Sequence, residues 1–256
     1  MKILVVGDVV GEIGVEHLSK NLWKTRNENG VDFCVVNGEN ASEISGISRA
    51  DAIRILDAGA DIITLGNHTW GRKDIREFLD QNEQIIRPAN YAPGLPGSGY
   101  VIAKVAGCRV LCVNLIGTIN MEAETSPFHV ADKIFDSEKG QYDVAIVDFH
   151  AEATSEKIAM GRYLDGRASV VFGTHTHVQT SDEQVLSGGT AYITDVGMSG
   201  PMNGVLGVSS DIIIRRFLTH MPERFIVADG DVKAHGALVE VNELTGKATK
   251  IQRIVF

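Results

Sequence analysis

The chain has few cysteines and no cysteine pair at metal-ligand or redox spacing. Three cysteines occur among 256 residues, and they lie in the apolar stretches FCVVN and CRVLCVN rather than in a CxxC motif. We interpret Cys34, Cys108 and Cys112 as small buried hydrophobic residues. An odd, sparse set without a pairing pattern is typical of a reducing compartment, and this argues against a disulfide framework.

The chain also lacks a long apolar run. No stretch approaches the roughly 20 apolar residues that a membrane-spanning helix needs. The apolar run after Met1 ends at Gly7-Asp8, which is too short for the core of a secretion signal. We therefore predict a cytoplasmic location and no membrane partner.

An excess of positive charge is absent as well, since the formal net charge is -9. A surface that grips a long nucleic-acid duplex needs dense lysine and arginine, so this class of partner is not expected. A small nucleotide is not excluded, because a metal site can supply positive charge locally. Hydrophobic content of 44% and charged content of 22% are typical of a folded globular chain, and we predict a single domain over residues 1–256.

Short apolar runs alternate with amphipathic stretches from the N-terminus onward. Val15, Leu18, Leu22 and Trp23 recur at helical spacing, and a second helical segment ends near Gly59. The strand, helix, strand order predicts crossover units in a largely parallel sheet. The runs that read as buried strands are residues 3–6, 33–36, 62–65, 144–149 and 170–172.

The second half of the chain has a different pattern. The stretch YVIAKVAGCRVLCVNL predicts two strands that turn at Ala106-Gly107, and TAYIT, SDIIIRRF, ALVEVN and KIQRIVF are strand-like too. We predict an α/β fold with a second, more antiparallel sheet, giving a two-sheet sandwich flanked by helices. Segments 87–99 and 197–207 are rich in proline, glycine and asparagine, which predicts loops; the second could cover a site or be a plain connection.

Residue types that bind metals follow all five of the predicted strands listed above. Because the carboxyl ends of strands in an α/β sheet meet at one edge, side chains spread over roughly 170 positions could converge there. Each has an ordinary alternative when taken singly, such as a turn residue or a hydrogen-bonded core histidine. The candidates are Asp8, Glu39, Asn40, Asn67, His150, His175 and His177.

Such a collection of acceptors is unfavourable without a cation, because buried polar groups without partners cost several kcal/mol. The mixed oxygen and nitrogen donors, without thiolate, favour iron or manganese, with zinc as the alternative. Seven ligands exceed the need of one tetrahedral ion. Two divalent or trivalent ions about 3.5–4 Å apart, bridged by a carboxylate, would use them all.

The order of these motifs resembles the calcineurin-like metallophosphoesterase superfamily, whose pattern is Asp-x-His, Gly-Asp, Gly-Asn-His, a lone His and Gly-His-x-His. Three departures occur here: Val10 replaces a ligand histidine, Glu39 replaces the bridging aspartate, and Thr174 separates Gly173 from His175. The sequences GDVVG, NGEN and GTHTHVQT are similar to those of the bacterial YmdB-type branch, whose members resemble cyclic-nucleotide phosphodiesterases.

The resemblance implies a role for each candidate. Asp8, Glu39, Asn40 and His177 would bind one metal, and Glu39, Asn67, His150 and His175 the other, with Glu39 as the bridge. Asn40 would substitute for the histidine that Val10 displaced. A hydroxide held between the ions would attack phosphorus, and His68 would protonate the leaving alkoxide.

The implied substrate is a small phosphodiester or nucleotide, such as a 2′,3′-cyclic nucleotide. Two alternatives stay open at this point. One is a phosphomonoesterase of the same superfamily, because the metals can serve either reaction. The other is a metal-binding regulatory protein with little turnover. The chain could also form a homo-oligomer.

Overall fold

The computed structural model describes residues 1–43 and 45–256. Within these ranges the chain forms fourteen strands and six helices. The strands are β1 (Lys2–Val6), β2 (Asp8–Val9), β3 (Phe33–Asn37), β4 (Ile62–Thr64), β5 (Ile85–Ile86), β6 (Tyr100–Val105), β7 (Cys108–Ile116), β8 (Val144–His150), β9 (Val170–Thr174), β10 (Gln184–Val185), β11 (Ala191–Ile193), β12 (Met198–Pro201), β13 (Val232–Asn242) and β14 (Lys247–Val255). The helices are α1 (Gly11–Asn29), α2 (Arg49–Asp57), α3 (Ile75–Gln81), α4 (Pro127–Ser137), α5 (Thr154–Tyr163) and α6 (Ser210–Thr219).

The strands form two sheets. The first has the order β2-β12-β13-β1-β3-β4-β5, with β14 paired to β13, and the second has the order β10-β11-β9-β8-β7-β6. Strands β1, β3, β4 and β5 are mutually parallel, as are β7, β8, β9 and β11. The carboxyl ends of the central strands therefore lie together at one edge.

Three apolar clusters hold the layers together, and alternation along β1 shows how. Leu4 and Val6 face a core shared with the N-terminal helices, whereas Ile3 and Val5 face a core shared by both sheets. A third core lies between the second sheet and α4 and α5. Burying each such aliphatic side chain contributes about 1.5–3 kcal/mol. The predicted two-sheet sandwich flanked by helices is confirmed.

The expectation of a more antiparallel second sheet is wrong. That sheet is mainly parallel, because α4 and α5 serve as the crossovers that parallel strands require. The antiparallel C-terminal strands β13 and β14 instead join the first sheet, where β13 pairs with β1.

Two local expectations are also wrong. The segment SDIIIRRF forms α6 rather than a strand. Asp211 lies in the first turn of α6 and Arg216 in its last, where their charges interact favourably with the helix dipole and stabilise the helix. The 197–207 segment is not wholly irregular, because residues 198–201 form β12 and pair with β2 and β13.

The three cysteines are buried and free, as expected from their apolar contexts. Among the described residues, no helix combines the length and apolarity needed to cross a membrane.

Candidate metal centre

All seven predicted ligands lie at the shared edge of the two sheets. Asp8 opens β2 and His150 closes β8, so strand pairing fixes both backbones. Glu39, Asn40 and Asn67 follow β3 and β4, and the two remaining histidines follow β9. The structure brings residues from both sheets into one cluster, in which Asn67, His175 and His177 are partly exposed.

One half of the cluster surrounds the Nε2 atom of His150. This atom lies 3.0 Å from Asn67 Oδ1, 3.1 Å from Glu39 Oε1 and 3.1 Å from His175 Nδ1. A ring nitrogen has one hydrogen or one lone pair, so hydrogen bonding cannot satisfy all three neighbours. The donor atoms of Glu39, His150 and His175 lie within 4.8 Å of one another, close enough to hold one cation.

The other half contains Asp8, Asn40 and His177. His177 Nε2 lies 3.2 Å from Asn40 Nδ2 and 3.9 Å from Asp8 Oδ1. Asn40 Nδ2 also donates to Glu39 Oε1 at 3.1 Å, so Glu39 lies between the two halves.

Two oxygens in this half lack a hydrogen bond among the described residues. They are Oδ1 of Asp8 and Oδ1 of Asn40, and both are buried. Unpaired buried oxygens of this kind are costly, and a cation would satisfy them. The residues present therefore fit a metal ion, although the Asn40 amide must make a half-turn to direct its oxygen towards His177.

In each histidine of the cluster, the ring nitrogen that points away from the other ligands contacts a hydrogen-bond acceptor. Such contacts fix the tautomer, so that the inner nitrogen keeps its lone pair for a metal. The pairs are His150 Nδ1 with Thr174 Oγ1 at 2.9 Å, His175 Nε2 with Glu152 Oε2 at 3.1 Å, and His177 Nδ1 with the Leu206 carbonyl at 3.1 Å.

Two acidic residues near His150 in sequence orient the histidines in different ways. Asp148 reaches His150 through Thr174, whose hydroxyl donates to Asp148 Oδ1 at 2.7 Å, and lies beside Asn37, whose Nδ2 donates to Asp148 Oδ2 at 3.0 Å. Because the Thr174 hydroxyl donates its hydrogen to Asp148, it accepts a hydrogen bond from the N–H of His150. Glu152, two residues after His150 in sequence, contacts His175 and not His150.

The electrostatics of the cluster reflect its crowding. Burial disfavours the protonated ring of His150, but the carboxylates of Glu39 and Asp8 outweigh burial and raise its pKa to about 9. Burial alone would raise the pKa of Glu39, yet His150 lowers it to about 2. Burial raises the pKa of Asp8 to about 6. The carboxylates thus stabilise the protonated, positively charged ring of His150. A bound cation would supply that positive charge in its place.

Two backbone features of the site were missed from sequence. Gly66 precedes Asn67, and a Cβ at this position would overlap Glu39 Oε2 and His150 Nε2, so the cluster depends on the missing side chain. His175 and His177 both have positive φ, at 92° and 63°. The glycine of the Gly-Asn-His motif was the available signal, whereas nothing local marks the φ values.

His68 lies next to the cluster without joining it. Its backbone N–H donates to Glu39 Oε2 at 3.1 Å, and its Nδ1 lies 3.3 Å from Ser45 Oγ. Since Nδ1 faces Ser45, Nε2 is the ring atom left for a substrate.

A large cavity, of about 930 Å³, lies beside the cluster. Ala41, the neighbour of Asn40, is one of its lining residues. None of the seven candidate ligands lines it. Acidic side chains outnumber basic ones in its lining, which includes Glu12 and Glu16 as well as Arg72 and Arg224, so it is a poorer pocket for an anionic phosphate. The polar cluster at the strand ends is therefore the better candidate for the chemistry.

A family model described as "YmdB-like protein" matches residues 4–254. The chain belongs to the YmdB-like family. This confirms the resemblance drawn from the motifs.

Relatives of this YmdB-like chain align over nearly its whole length. A Bacillus subtilis (strain 168) protein named 2′,3′-cyclic-nucleotide 2′-phosphodiesterase is 44% identical, covering 100% of this chain and 97% of its own. A hypothetical protein from Thermus thermophilus has a TM-score of 0.94 at 39% identity, covering 100% and 99%. A novel phosphatase of Mycoplasma pneumoniae has a TM-score of 0.94 at 33% identity, covering 100% and 93%.

Proposed function

We propose that this YmdB-like chain is a phosphoric ester hydrolase that cleaves small phosphodiesters, 2′,3′-cyclic nucleotides among them, at a two-metal centre. The placement of Glu39 carries the proposal. Its carboxylate lies between Asn67, His150 and His175 on one side and Asp8, Asn40 and His177 on the other. The name of the Bacillus subtilis relative supports the same substrate class.

The donors suit iron or manganese, with zinc as the alternative, because the site has carboxylate, amide and imidazole groups and no cysteine. When bound, two ions would supply an activated water and would neutralise charge on the phosphoryl oxygens.

The chain's own part is to orient these donors and to move one proton. The outer contacts of His150, His175 and His177 hold their rings, so that little reorganisation is needed during the reaction. His68 holds a proton at Nε2 for the departing alkoxide, which is a poor leaving group without protonation.

The 197–207 segment was considered from sequence as a possible cover over the site. The Leu206 carbonyl in the 197–207 segment accepts from His177, which supports a framework role for that segment rather than a lid. Tyr91, whose hydroxyl donates to the Gly66 carbonyl at 3.0 Å, packs against Trp70 with ring centroids 6.2 Å apart. We propose this aromatic pair as a surface for a nucleobase, because Tyr91 contacts Gly66, which precedes the candidate ligand Asn67.

The test is a side-by-side assay with manganese of bis-nitrophenyl phosphate, nitrophenyl phosphate and 2′,3′-cyclic AMP. We expect the two diesters to be turned over with the higher kcat/KM. A phosphomonoesterase is the second candidate, favoured by the name of the Mycoplasma pneumoniae relative, and preference for the monoester would replace the first proposal with it. Manganese binding with no turnover of any of the three would favour the regulatory alternative.

Three coarser expectations accompany this proposal. Residues 1–256 would act as one domain, supported by the core that both sheets share. The chain would work in the cytoplasm, supported by its free thiols. It could form a homo-oligomer, supported by the exposed apolar side chains of Phe217 and Leu218 on α6.

A further inference from the structure

A buried ion pair lies behind the histidine ligands. Lys157 Nζ on α5 contacts Asp195 Oδ2 at 2.8 Å, and the side chains are 2% and 0% exposed. A buried pair is weak evidence for a stabilising role, because the cost of desolvating both charges can exceed their attraction. Its position relative to the metal centre suggests a different role.

One oxygen of Asp195 holds the segment between two ligands. Asp195 Oδ2 accepts from the Thr176 backbone N–H at 3.1 Å and from its hydroxyl at 2.6 Å. Lys157 Nζ also donates to the Thr176 hydroxyl, at 3.1 Å. Thr176 separates His175 and His177, whose positive φ values are unfavourable for residues with side chains. Such a conformation persists only where surrounding contacts impose it.

The other oxygen of Asp195 holds the strand end that carries a third ligand. Asp195 Oδ1 accepts from the Gly197 N–H at 2.7 Å. The Gly197 carbonyl in turn accepts from the Asp8 N–H at 3.2 Å. The Asp8 side chain then accepts from the His175 N–H at 3.0 Å. Asp8 is thereby connected both to Asp195, through Gly197, and to the histidine segment.

We propose that the Lys157–Asp195 pair is a positioning device for the metal centre, setting the backbone of Asp8, His175 and His177 at once. The inference rests on the metal centre of the proposed function and extends it to residues outside the ligand set. Four donors converge on the Asp195 carboxylate, which has about four lone-pair positions and no hydrogen when ionised. An asparagine has one carbonyl oxygen and cannot accept all four, and Lys157 supplies the positive charge that balances the carboxylate.

The first variant is Asp195→Asn, which keeps the volume and removes acceptors. We expect its affinity for Mn²⁺, measured by titration calorimetry on the full chain, to fall about 10- to 100-fold, the usual effect of losing a group that orients ligands. We also expect excess Mn²⁺ to restore much of the turnover, because the ligands themselves remain.

The matched control is Asp143→Asn. Asp143 pairs with Arg109 at 2.7 Å and precedes β8, at the opposite end of that strand from His150. Its loss removes a carboxylate and an ion pair far from the cluster, so Mn²⁺ affinity should not change.

A second pair of variants keeps the test decisive if Asp195→Asn does not fold. Thr176→Val removes the hydroxyl held by both members of the ion pair, and Thr176→Ser keeps it. We expect Mn²⁺ affinity to fall at least severalfold in the valine variant and to be retained in the serine variant.

The results separate this inference from the proposed function. Mn²⁺ binding unchanged by Asp195→Asn and by Thr176→Val, with only the melting temperature lowered, would overturn the positioning role and leave the metal centre intact. Failure of the unsubstituted chain to bind Mn²⁺ would overturn the metal centre itself. Weaker binding in a chain that hydrolyses no phosphodiester would support the positioning role while contradicting the proposed substrate.

Discussion

Val10 and Asn40 pair across an isolated parallel β-bridge. The next residue, Gly11, donates its N–H to the Asn40 carbonyl at 2.9 Å. The Val10 side chain packs towards Gly207, where an added Cβ would lie 2.7 Å from Val10 Cγ1. Valine thus packs against the 197–207 segment where the superfamily pattern has a histidine. Asn40 lies beside it, and its buried Oδ1 has no hydrogen-bond partner among residues 1–43 and 45–256.

This arrangement predicts that Asn40 contributes to one half of the metal centre only. Asn40→Ala should lower the affinity of the ion that Asp8 and His177 share with it by at least about tenfold, or roughly 1.4 kcal/mol, and leave the other ion bound. Asn40→Asp keeps a ligand oxygen and should retain both. Elemental analysis after dialysis against graded chelator gives the ions per chain, and two ions held equally tightly by Asn40→Ala would exclude Asn40 as a ligand.

Gly66 gives a steric test of the same centre. Gly66→Ala places a methyl group where Glu39 and His150 approach, so we expect loss of metal binding at the half that they share. Gly188→Ala is the control, because its Cβ would lie 2.7 Å from Asp165 in a distant turn. It should lower the melting temperature without changing metal content. Normal metal content in Gly66→Ala would mean that the cluster does not hold an ion between these two residues.

Thr174, the residue that departs from the Gly-His-x-His pattern, is predicted to orient His150. Thr174→Val keeps the shape but leaves the buried Nδ1–H of His150 without its acceptor, at a cost of about 1–3 kcal/mol. We expect Mn²⁺ affinity to fall about 10- to 100-fold, with Thr174→Ser close to the unsubstituted protein. A valine variant with normal affinity would show that packing, and not the Thr174 hydroxyl, orients the ring.

Local sequence patterns predicted the candidate ligands of this site, whereas contacts between residues distant in sequence could not be predicted. The ligand candidates could be found because each directly follows a buried strand, as Asn67 follows β4 and His175 follows β9, and that pattern is local. Asp195 could be noted from sequence as an acid that follows a strand, but its contacts with Lys157 and Thr176 could not be predicted, because they depend on a loop and a helix that meet only after folding. Asp148 stands two residues before His150 in sequence, yet its contact runs through Thr174 on a neighbouring strand.

The fold shows the same division. The crossover units of the first half follow from alternation of apolar runs and helical spacing, which are local. The position of β13 between β1 and β12 depends on a pairing between the two ends of the chain, and nothing in the ALVEVN segment specifies its partner. The three consecutive isoleucines of α6 favoured a strand locally, while only Ile212 of that helix is buried.

His68 is predicted to act on the leaving group and not on the metal. His68→Ala should retain metal content and lose about 10²- to 10⁴-fold in turnover of 2′,3′-cyclic AMP. The loss should be much smaller with bis-nitrophenyl phosphate, because nitrophenolate leaves without protonation. Equal losses on both substrates would count against proton donation by His68.

The number of ions tests the central claim most directly. Crystals grown with Mn²⁺ and measured at the manganese absorption edge should show two anomalous peaks about 3.5–4 Å apart. Glu39 should lie between them, with Asp8, Asn40 and His177 around one and Asn67, His150 and His175 around the other. A single peak, or two peaks that do not share Glu39, would contradict the two-metal centre.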